Sequence, residues 1–262
     1  MTSKNDQEKI TTSSRNWIPV VMLVMLAFLF GISVGIHKNT STPATISLSN
    51  TCSKAPLVIH DERRASIRLP AVNRNGTGVS ANLDVSVVPG SGQILINLNR
   101  VLSKEETLNS IRMAALVASD IANIEIIDHD IIYDLYANAT VLEGPSAGAA
   151  ITLATIAVLE DKKIRDDVMI TGTINHDGTI GPAGKIKEKA ISAKENGAKA
   201  FYVSVGSSTE INYTEEEFCH TWGTYEYCQP EIKATIIDLS EEAGIQIIEA
   251  ENIRDILDAF LE

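Results

Sequence analysis

Basic residues are in short supply in this chain of 262 residues. It holds 22 lysines and arginines against 34 acidic residues, which gives a formal net charge of -12 and a pI near 4.9. Such a balance repels the phosphate backbones of nucleic acids, so no nucleic-acid partner is expected. Aromatics make up only 5% of the chain, but hydrophobic residues reach 44%, which indicates one sizeable globular domain plus appendages.

A nucleotide-binding motif is also missing. The stretch "GPAGK" ends at Lys185, but the phosphate-loop pattern G-x-x-x-x-G-K-[ST] fails. Ala183 is at the position five after Gly178, where the second glycine would stand, and Ile186 rather than serine or threonine follows Lys185. No ATP site and no cofactor are therefore expected.

One long apolar run, "WIPVVMLVMLAFLFGISVGI" over residues 17–36, contains no charge. As a helix it would be roughly 30 Å long, the thickness of a bilayer's hydrocarbon core. We interpret it as a transmembrane signal anchor that follows a tail over 1–16. A cleaved signal peptide is the alternative, although its apolar region is usually about 7 to 15 residues long and ends at a small-residue site.

Basic residues flank this run unequally. Lys4, Lys9 and Arg15 precede it, whereas Lys38 and Lys54 are the nearest basic residues after it. The bias predicts a single-pass protein of the cell membrane with a cytoplasmic N-terminus and an extracytoplasmic main domain.

Cysteine is rare, and two of the three cysteines lie close together. Cys219 and Cys228 bracket "CHTWGTYEYC", in which a turn could bring the sulfurs together as a disulfide. Metal ligation with His220 is the alternative, but these donors lack regular spacing, so we expect no metal. Cys52 is left over.

The rest of the chain predicts an α+β domain. Residues 37–65 form a Ser/Thr-rich linker, and the domain occupies 66–262, with an irregular insert at 206–232 that holds the cysteine pair. Alternating residues predict a β-hairpin that turns at 89–92 and a second that turns at 176–178. Helical spacing predicts helices over 103–123, up to Leu159, and over 184–197.

Ser146 lies among small residues in "VLEGPSAGAAITLATIAVL", where the second of these helices begins. A serine at a helix start usually caps the helix, but free backbone N–H groups beside its hydroxyl could also hold an oxyanion. As a nucleophile it would need a base. Of the five histidines, none offers a supported Ser-His-Asp triad, whereas a buried lysine could be neutral enough to act.

Three lysines, at positions 185, 187 and 189, follow a Gly-Pro-Ala-Gly turn in "TIGPAGKIKEKAISA". On their own they are typical of a solvated first turn of a helix.

Together the two segments resemble the protease domain of the Lon family, serine peptidases with a Ser-Lys dyad. The family's "GPSAG" block matches Gly144 to Gly148 without a gap, and its "P-x-G-G-[IL]-K-E-K" block matches "PAGKIKEK" from Pro182. This register implies Ser146 as nucleophile and Lys187 as base, with Lys185 in place of a glycine. The "DVAMTGEI" segment of the family implies a supporting hydroxyl at Thr171.

The chain departs from the family pattern in places. Glu143 stands where many relatives have an aspartate, and this carboxylate could reach Lys187 and keep it charged. Tyr136 and Asn138 occupy places where relatives often carry histidines. Only a tether, rather than an ATPase module, precedes the protease domain in this sequence.

The resemblance implies a serine endopeptidase, and together with the apolar run and the missing nucleotide motif it predicts a membrane-anchored, ATP-independent enzyme that cleaves unfolded proteins or peptides. The site would comprise Ser146 and Lys187, supported by Thr171, Glu143 and Gly144. A homo-oligomer, by resemblance a hexameric ring, is expected, and a separate ATPase could act as partner. Two alternatives are a type I signal peptidase, whose serine lies much closer to its anchor, and a scaffold or binding module that keeps the fold without catalysis.

Overall fold

The computed structural model describes residues 54–56, 62–97, 102–103, 105–137, 141–142 and 144–262. The chain divides into two units, Met1–Thr51 and Cys52–Glu262, and only the second contains described residues. The predicted tail, the apolar segment 17–36 and most of the linker lie outside them. Within the described ranges, no helix combines the length and the apolar character needed to cross a membrane.

The strands and helices alternate irregularly, as an α+β domain predicts. The strands are β1 Ala55–Pro56, β2 Arg63–Val72, β3 Gly78–Pro89, β4 Ile94–Asn97, β5 Leu102–Ser103, β6 Ile124–Glu125, β7 His129–Ala137, β8 Val141–Leu142, β9 Val168–Ile170, β10 Thr173–Ile174, β11 Ile180–Gly181, β12 Ala200–Ser204, β13 Thr209–Trp222, β14 Tyr225–Asp238 and β15 Gln246–Ala250. The helices are α1 Glu105–Ala122, α2 Gly148–Glu160, α3 Ile186–Glu195, α4 Leu239–Ala243 and α5 Leu257–Phe260, with 3₁₀ turns at Pro145–Ala147 and Ile253–Ile256.

Helix α2 is the centre of the larger hydrophobic core. Every residue from Gly148 to Leu159 is buried, and the helix packs against α1, β2 and β3. Its sequence is apolar on all sides, which is typical of a helix enclosed by the protein. The start of α2, and therefore the turn that carries Ser146, is anchored in this core.

The first predicted hairpin is wrong. Strands β3 and β4 flank the predicted turn at 89–92, but they do not pair with each other. Strand β7 lies between them in a four-stranded sheet of order β2-β3-β7-β4, antiparallel to β3 and parallel to β4. Its Ile131 and Tyr133 are completely buried, so a longer apolar strand from later in the chain takes the central place.

A second sheet, of order β15-β12-β9, has three parallel strands. Helices α3 and α4 cover it, and a second core cluster joins them to the strands through Met169, Ile186, Phe201 and Leu239. The predicted hairpin around 176–178 is confirmed by the antiparallel pairing of β10 with β11.

The insert with the cysteine pair is regular rather than irregular. Strands β13 and β14 pair antiparallel along their whole length, and nearly all of their residues are exposed. The prediction missed this ribbon because its exposed strands lack the apolar and polar alternation of a half-buried strand. Cys219 and Cys228 face each other near its tip and form the predicted disulfide, with an S–S distance of 2.01 Å.

Candidate active site

The turn that carries Ser146 leads directly into α2. Gly144 has a φ of 95°, a conformation that favours glycine, and Pro145 follows in the first turn of the 3₁₀ helix. Neither the 3₁₀ helix nor α2 has a side-chain cap. The Ser146 hydroxyl therefore does not cap a helix.

Neighbouring elements hold this turn in place through hydrogen bonds. Ser110 Oγ, on α1, donates to the Pro145 carbonyl at 3.1 Å. The Ser146 carbonyl accepts bonds from Gly172 N at 2.8 Å and from Thr171 Oγ1 at 3.1 Å. Because the backbone on both sides of the Ser146 hydroxyl is bound to other elements, the position of that hydroxyl is determined by the core.

Gly148 allows the close packing that this arrangement needs. A Cβ at this position would lie 2.7 Å from Ser110 Oγ and 2.9 Å from Ile174 Cγ2. Any other residue would push α1 or β10 away from the turn. The glycine two residues after Ser146 thus serves packing, whereas Gly144 serves backbone conformation.

Helix α3 places a lysine beside the Ser146 hydroxyl. Ile186, Ala190 and Ala193 form the buried stripe of this helix, and Lys189 lies on the same side with only 6% of its surface exposed. Its Nζ is 2.8 Å from Ser146 Oγ and 3.1 Å from Thr171 Oγ1. The structure therefore brings serine, lysine and threonine into one hydrogen-bonded group.

Burial changes the acidity of this lysine. Removal of the charged amine from water lowers the pKa of Lys189 from 10.5 to about 8. Within the part of the chain that the structure describes, no carboxylate pairs with its Nζ to counter this effect. At pH 7 roughly a tenth of the molecules would carry the neutral amine, which is the form that can accept a proton.

The prediction that Lys187 partners Ser146 is wrong. Lys187 lies on the outer face of α3, where its Nζ bonds to the Glu242 carboxylate of α4 and its side chain is 42% exposed. That hydrogen bond raises its pKa, which favours the charged form. Two residues correspond to about 200° of rotation around a helix, so Lys187 and Lys189 point in opposite directions.

The stripe of α3 could have indicated the right lysine from the sequence. Ile186, Ala190 and Ala193 recur at i, i+4 and i+7, and Lys189 is the lysine that falls within this stripe at i+3.

The other predicted site residues have different outcomes. Thr171 is buried and contacts the lysine Nζ, as a supporting hydroxyl should, although the lysine is Lys189. Gly144 shapes the turn, and its carbonyl lies 3.4 Å from Thr107 Oγ1. Glu143 lies outside the described residues. Lys185 is exposed and precedes α3 with a φ of 60°.

Ser146 and Lys189 lie in a cleft of about 700 Å³. Strand β2 and the turn after it form one side, and helix α1 and the segment 182–185 form others. Most of its lining is apolar, so the cleft can accept an extended peptide with apolar side chains.

Comparison with known proteins gives a consistent result. Residues 75–218, more than half of the chain, match the family described as Lon protease (S16) C-terminal proteolytic domain. A Lon protease of Phenylobacterium zucineum is 32% identical over 120 residues, which are 45% of this chain and 15% of that protein. A Lon protease of Fervidobacterium nodosum is 28% identical over 137 residues, or 52% and 16%. For the mitochondrial Lon protease homolog of Drosophila melanogaster the values are 30% over 133 residues, or 50% and 13%.

The chain thus spans less than a fifth of the length of these relatives. Both Ser146 and Lys189 fall within the matched segment. The chain belongs to the family of Lon protease C-terminal proteolytic domains.

Proposed function

We propose that the protein is a serine endopeptidase in which Ser146 is the nucleophile and Lys189 the general base. The observation that carries this proposal is the 2.8 Å contact between Lys189 Nζ and Ser146 Oγ, made where burial lowers the lysine pKa to about 8. A serine needs an adjacent base to react, and a lysine qualifies only when it is neutral.

The geometry supports the following steps. Neutral Lys189 takes the Ser146 hydroxyl proton as Oγ attacks the peptide carbonyl, and backbone N–H groups beside Ser146 bind the oxyanion that forms. Lys189 then gives this proton to the leaving amine as the C–N bond breaks. Neutral Lys189 next takes a proton from water as the water oxygen attacks the acyl ester. Lys189 returns this proton to Ser146 Oγ as the ester bond breaks, which restores the serine hydroxyl.

Thr171 positions the lysine in this scheme. Its hydroxyl accepts a bond from Lys189 Nζ and donates one to the Ser146 carbonyl, so one side chain links base and nucleophile. A bond to the hydroxyl rather than to a carboxylate leaves the amine free to lose its proton.

Unfolded proteins or peptides are the proposed substrates, and ATP is not required for their cleavage. The residues of the site all lie within these 262 residues, which contain no phosphate-loop motif. The purified chain should therefore cleave an unfolded protein at the same rate with and without ATP. Degradation of a stable folded protein that starts only when ATP is added would contradict this.

We propose further that residues 17–36 anchor the protein in the membrane and that the protease domain is extracytoplasmic. The length of the uncharged run supports the anchor, and the bond between Cys219 and Cys228 suits an oxidising compartment. Mass mapping of native material without reductant should recover the bridged peptide. Two free thiols in native material would favour a cytoplasmic domain.

A homo-oligomer, by family resemblance a ring, is the proposed assembly, with a separate ATPase as a possible partner. Analytical ultracentrifugation of the detergent-solubilised chain tests the assembly.

The direct test of the dyad is labelling with a fluorophosphonate probe, which reacts only with an activated serine. Wild-type protein should be labelled at Ser146, and Ser146→Ala and Lys189→Met should not be labelled. Lys187→Met is the matched control, since it removes the other lysine of the same helix, and it should be labelled normally. Equal labelling of Lys189→Met and wild type would overturn the assignment of the base.

A further inference from the structure

The charged residues that line the cleft in the described part of the chain all carry positive charge or can carry it. Its floor is formed by buried apolar side chains from β2, β3, β7, α1 and α2: Leu69, Leu83, Ile111, Leu135 and Ile151. Apart from Lys189, the charged residues that line it are Arg74 and Lys185. Among the described lining residues there is no aspartate or glutamate. A cleft with cations and no anion is unexpected in a chain whose net charge is -12.

The two cations come from two segments that line the same cleft. Arg74 belongs to the turn between β2 and β3, which Asn73 Oδ1 stabilises by accepting bonds from Asn75 N and Thr77 N at 3.0 Å. Strand β3 begins immediately afterwards at Gly78, and a Cβ on Gly78 would lie 2.2 Å from the Glu188 carbonyl oxygen. The end of this turn is therefore followed by a close contact with α3, and Lys185 is the residue that precedes this helix.

Neither cation is needed by the fold. Both are exposed, and within the described residues neither side chain takes part in a hydrogen bond or an ion pair, unlike Lys187 with its partner Glu242. Lys185 has a φ of 60°, which disfavours a residue with a side chain and would suit glycine. Because the Lys185 side chain makes no hydrogen bond or ion pair with the described residues, its charge is available to a ligand.

The distance to the reaction centre limits where such a ligand can lie. Lys189 N bonds to the Lys185 carbonyl, so Lys185 is one helical turn from the proposed base. That is about 5.4 Å along the axis, and an extended peptide advances about 3.4 Å per residue. A side chain that meets Lys185 therefore belongs to a residue within about three positions of the scissile bond.

We infer that Arg74 and Lys185 form a subsite for an acidic side chain of the substrate, while the apolar floor of the cleft takes an aliphatic side chain. The preferred substrate is thus a peptide with an aspartate or glutamate within three residues of the cleaved bond. This inference rests on the proposed peptidase function and specifies its substrate class.

The test uses the full chain in detergent with internally quenched peptides that have one leucine in an alanine background. A single Glu, Gln or Lys is moved through the three positions on each side of the cleaved bond, and kcat/KM is measured for each peptide. At one position Glu should exceed Lys by about two- to fivefold per cation, and salt should reduce the difference because both cations are exposed.

Two variants and a control identify the source of the preference. Lys185→Gly removes one charge at a backbone angle that glycine adopts easily, so it should reduce the Glu-to-Lys ratio without misfolding. Lys185→Glu, in which the new carboxylate offsets the charge of Arg74, should bring the ratio to about one at the same position. Lys163→Glu makes the same charge change just past the far end of α2 from Ser146, and it should leave the wild-type ratio in place.

The outcomes separate the two proposals. Cleavage of every peptide with equal kcat/KM for Glu and Lys would overturn the subsite and leave the peptidase standing. A preference for Glu that survives in Lys185→Glu would also overturn it. If no peptide is cleaved and the fluorophosphonate does not label Ser146, the peptidase proposal fails and the subsite fails with it.

Discussion

The two faces of helix α3 place chemically identical side chains in opposite environments. On the inner face Lys189 is buried against apolar residues and contacts two hydroxyl groups, and its pKa falls to about 8. On the outer face Lys187 contacts the Glu242 carboxylate, and its pKa rises. The burial of each amine and its hydrogen-bond partners, rather than the residue type, therefore decide which lysine can act as a base.

The largest expected effect distinguishes the faces by activity. Lys189→Arg keeps the charge but prevents deprotonation, so kcat/KM for a peptide should fall by about 10²- to 10⁴-fold. Lys187→Arg, the matched change on the outer face, should retain wild-type kcat/KM. Loss of activity in Lys187→Arg together with full activity in Lys189→Arg would contradict this assignment.

A second prediction concerns stability, where substitutions on the two faces should differ in the size of their effect. Folding moves the pKa of Lys189 from 10.5 to about 8, which costs about 3 kcal/mol at pH 7. Lys189→Met removes this cost but also loses two hydrogen bonds, so its free energy of unfolding should exceed the wild-type value by about 1 to 3 kcal/mol. Lys187→Met, which loses only an exposed ion pair, should change little. Urea denaturation measures both, and a Lys189→Met variant less stable than wild type would contradict the burial cost.

The same pKa shift predicts a pH dependence of stability. The unfolded chain holds the Lys189 proton more tightly than the folded chain, so the unfolded state binds more protons between pH 8 and 10.5. The free energy of unfolding contributed by this group therefore rises with pH across that window and is lowest below it. The difference between wild type and Lys189→Met should shrink accordingly toward pH 10.

The peptidase rate should follow the neutral fraction of Lys189. With a pKa of about 8, this fraction rises about tenfold between pH 7 and pH 9, and kcat/KM for an uncharged peptide should rise with it. Lys187→Met should have the same midpoint as wild type. A rate that is constant or falls over this range would mean that Lys189 is not the base.

A smaller effect is expected at Thr171, which follows β9 and accepts a hydrogen bond from Lys189 on the inner face of α3. Thr171→Val keeps the shape but loses both hydroxyl contacts, so kcat should fall about tenfold with little change in KM. Loss of an acceptor from the charged amine should also move the pH midpoint downward. Thr171→Ser should restore both values, which a purely structural role would not require.

The smallest effect is expected at the exposed ribbon of β13 and β14. Replacement of Cys219 and Cys228 by serine removes its disulfide, but the ribbon contributes no residue to the cleft that the structure describes. Peptide kcat/KM should stay within about twofold of wild type, since surface changes remote from a site have small effects. A tenfold loss would show that the ribbon takes part in substrate binding or assembly.

Much of the fold could be predicted because its signals are local. The helix after Ser103, the helix that ends near Leu159 and the turn at 176–178 all follow from periodicity and turn residues. The pairing of β3 with β7 instead of β4 could not be predicted in this way. Strand order depends on which apolar strands bury the most surface together, and that choice involves residues far apart in the chain.

The sequence alone places Ser146 just before a largely apolar helix and three lysines at the start of another helix. The two segments that hold these residues match motifs of one family in the right order. The sequence also fixes a net charge of -12 and contains no G-x-x-x-x-G-K-[ST] pattern. The apolar stripe of α3 indicates which lysine is buried, but only the packing of α3 on its sheet brings Lys189 Nζ to Ser146 Oγ. The tertiary structure likewise decided that Thr171 bridges the pair, since the backbone after β9 reaches Ser146 only in the folded chain.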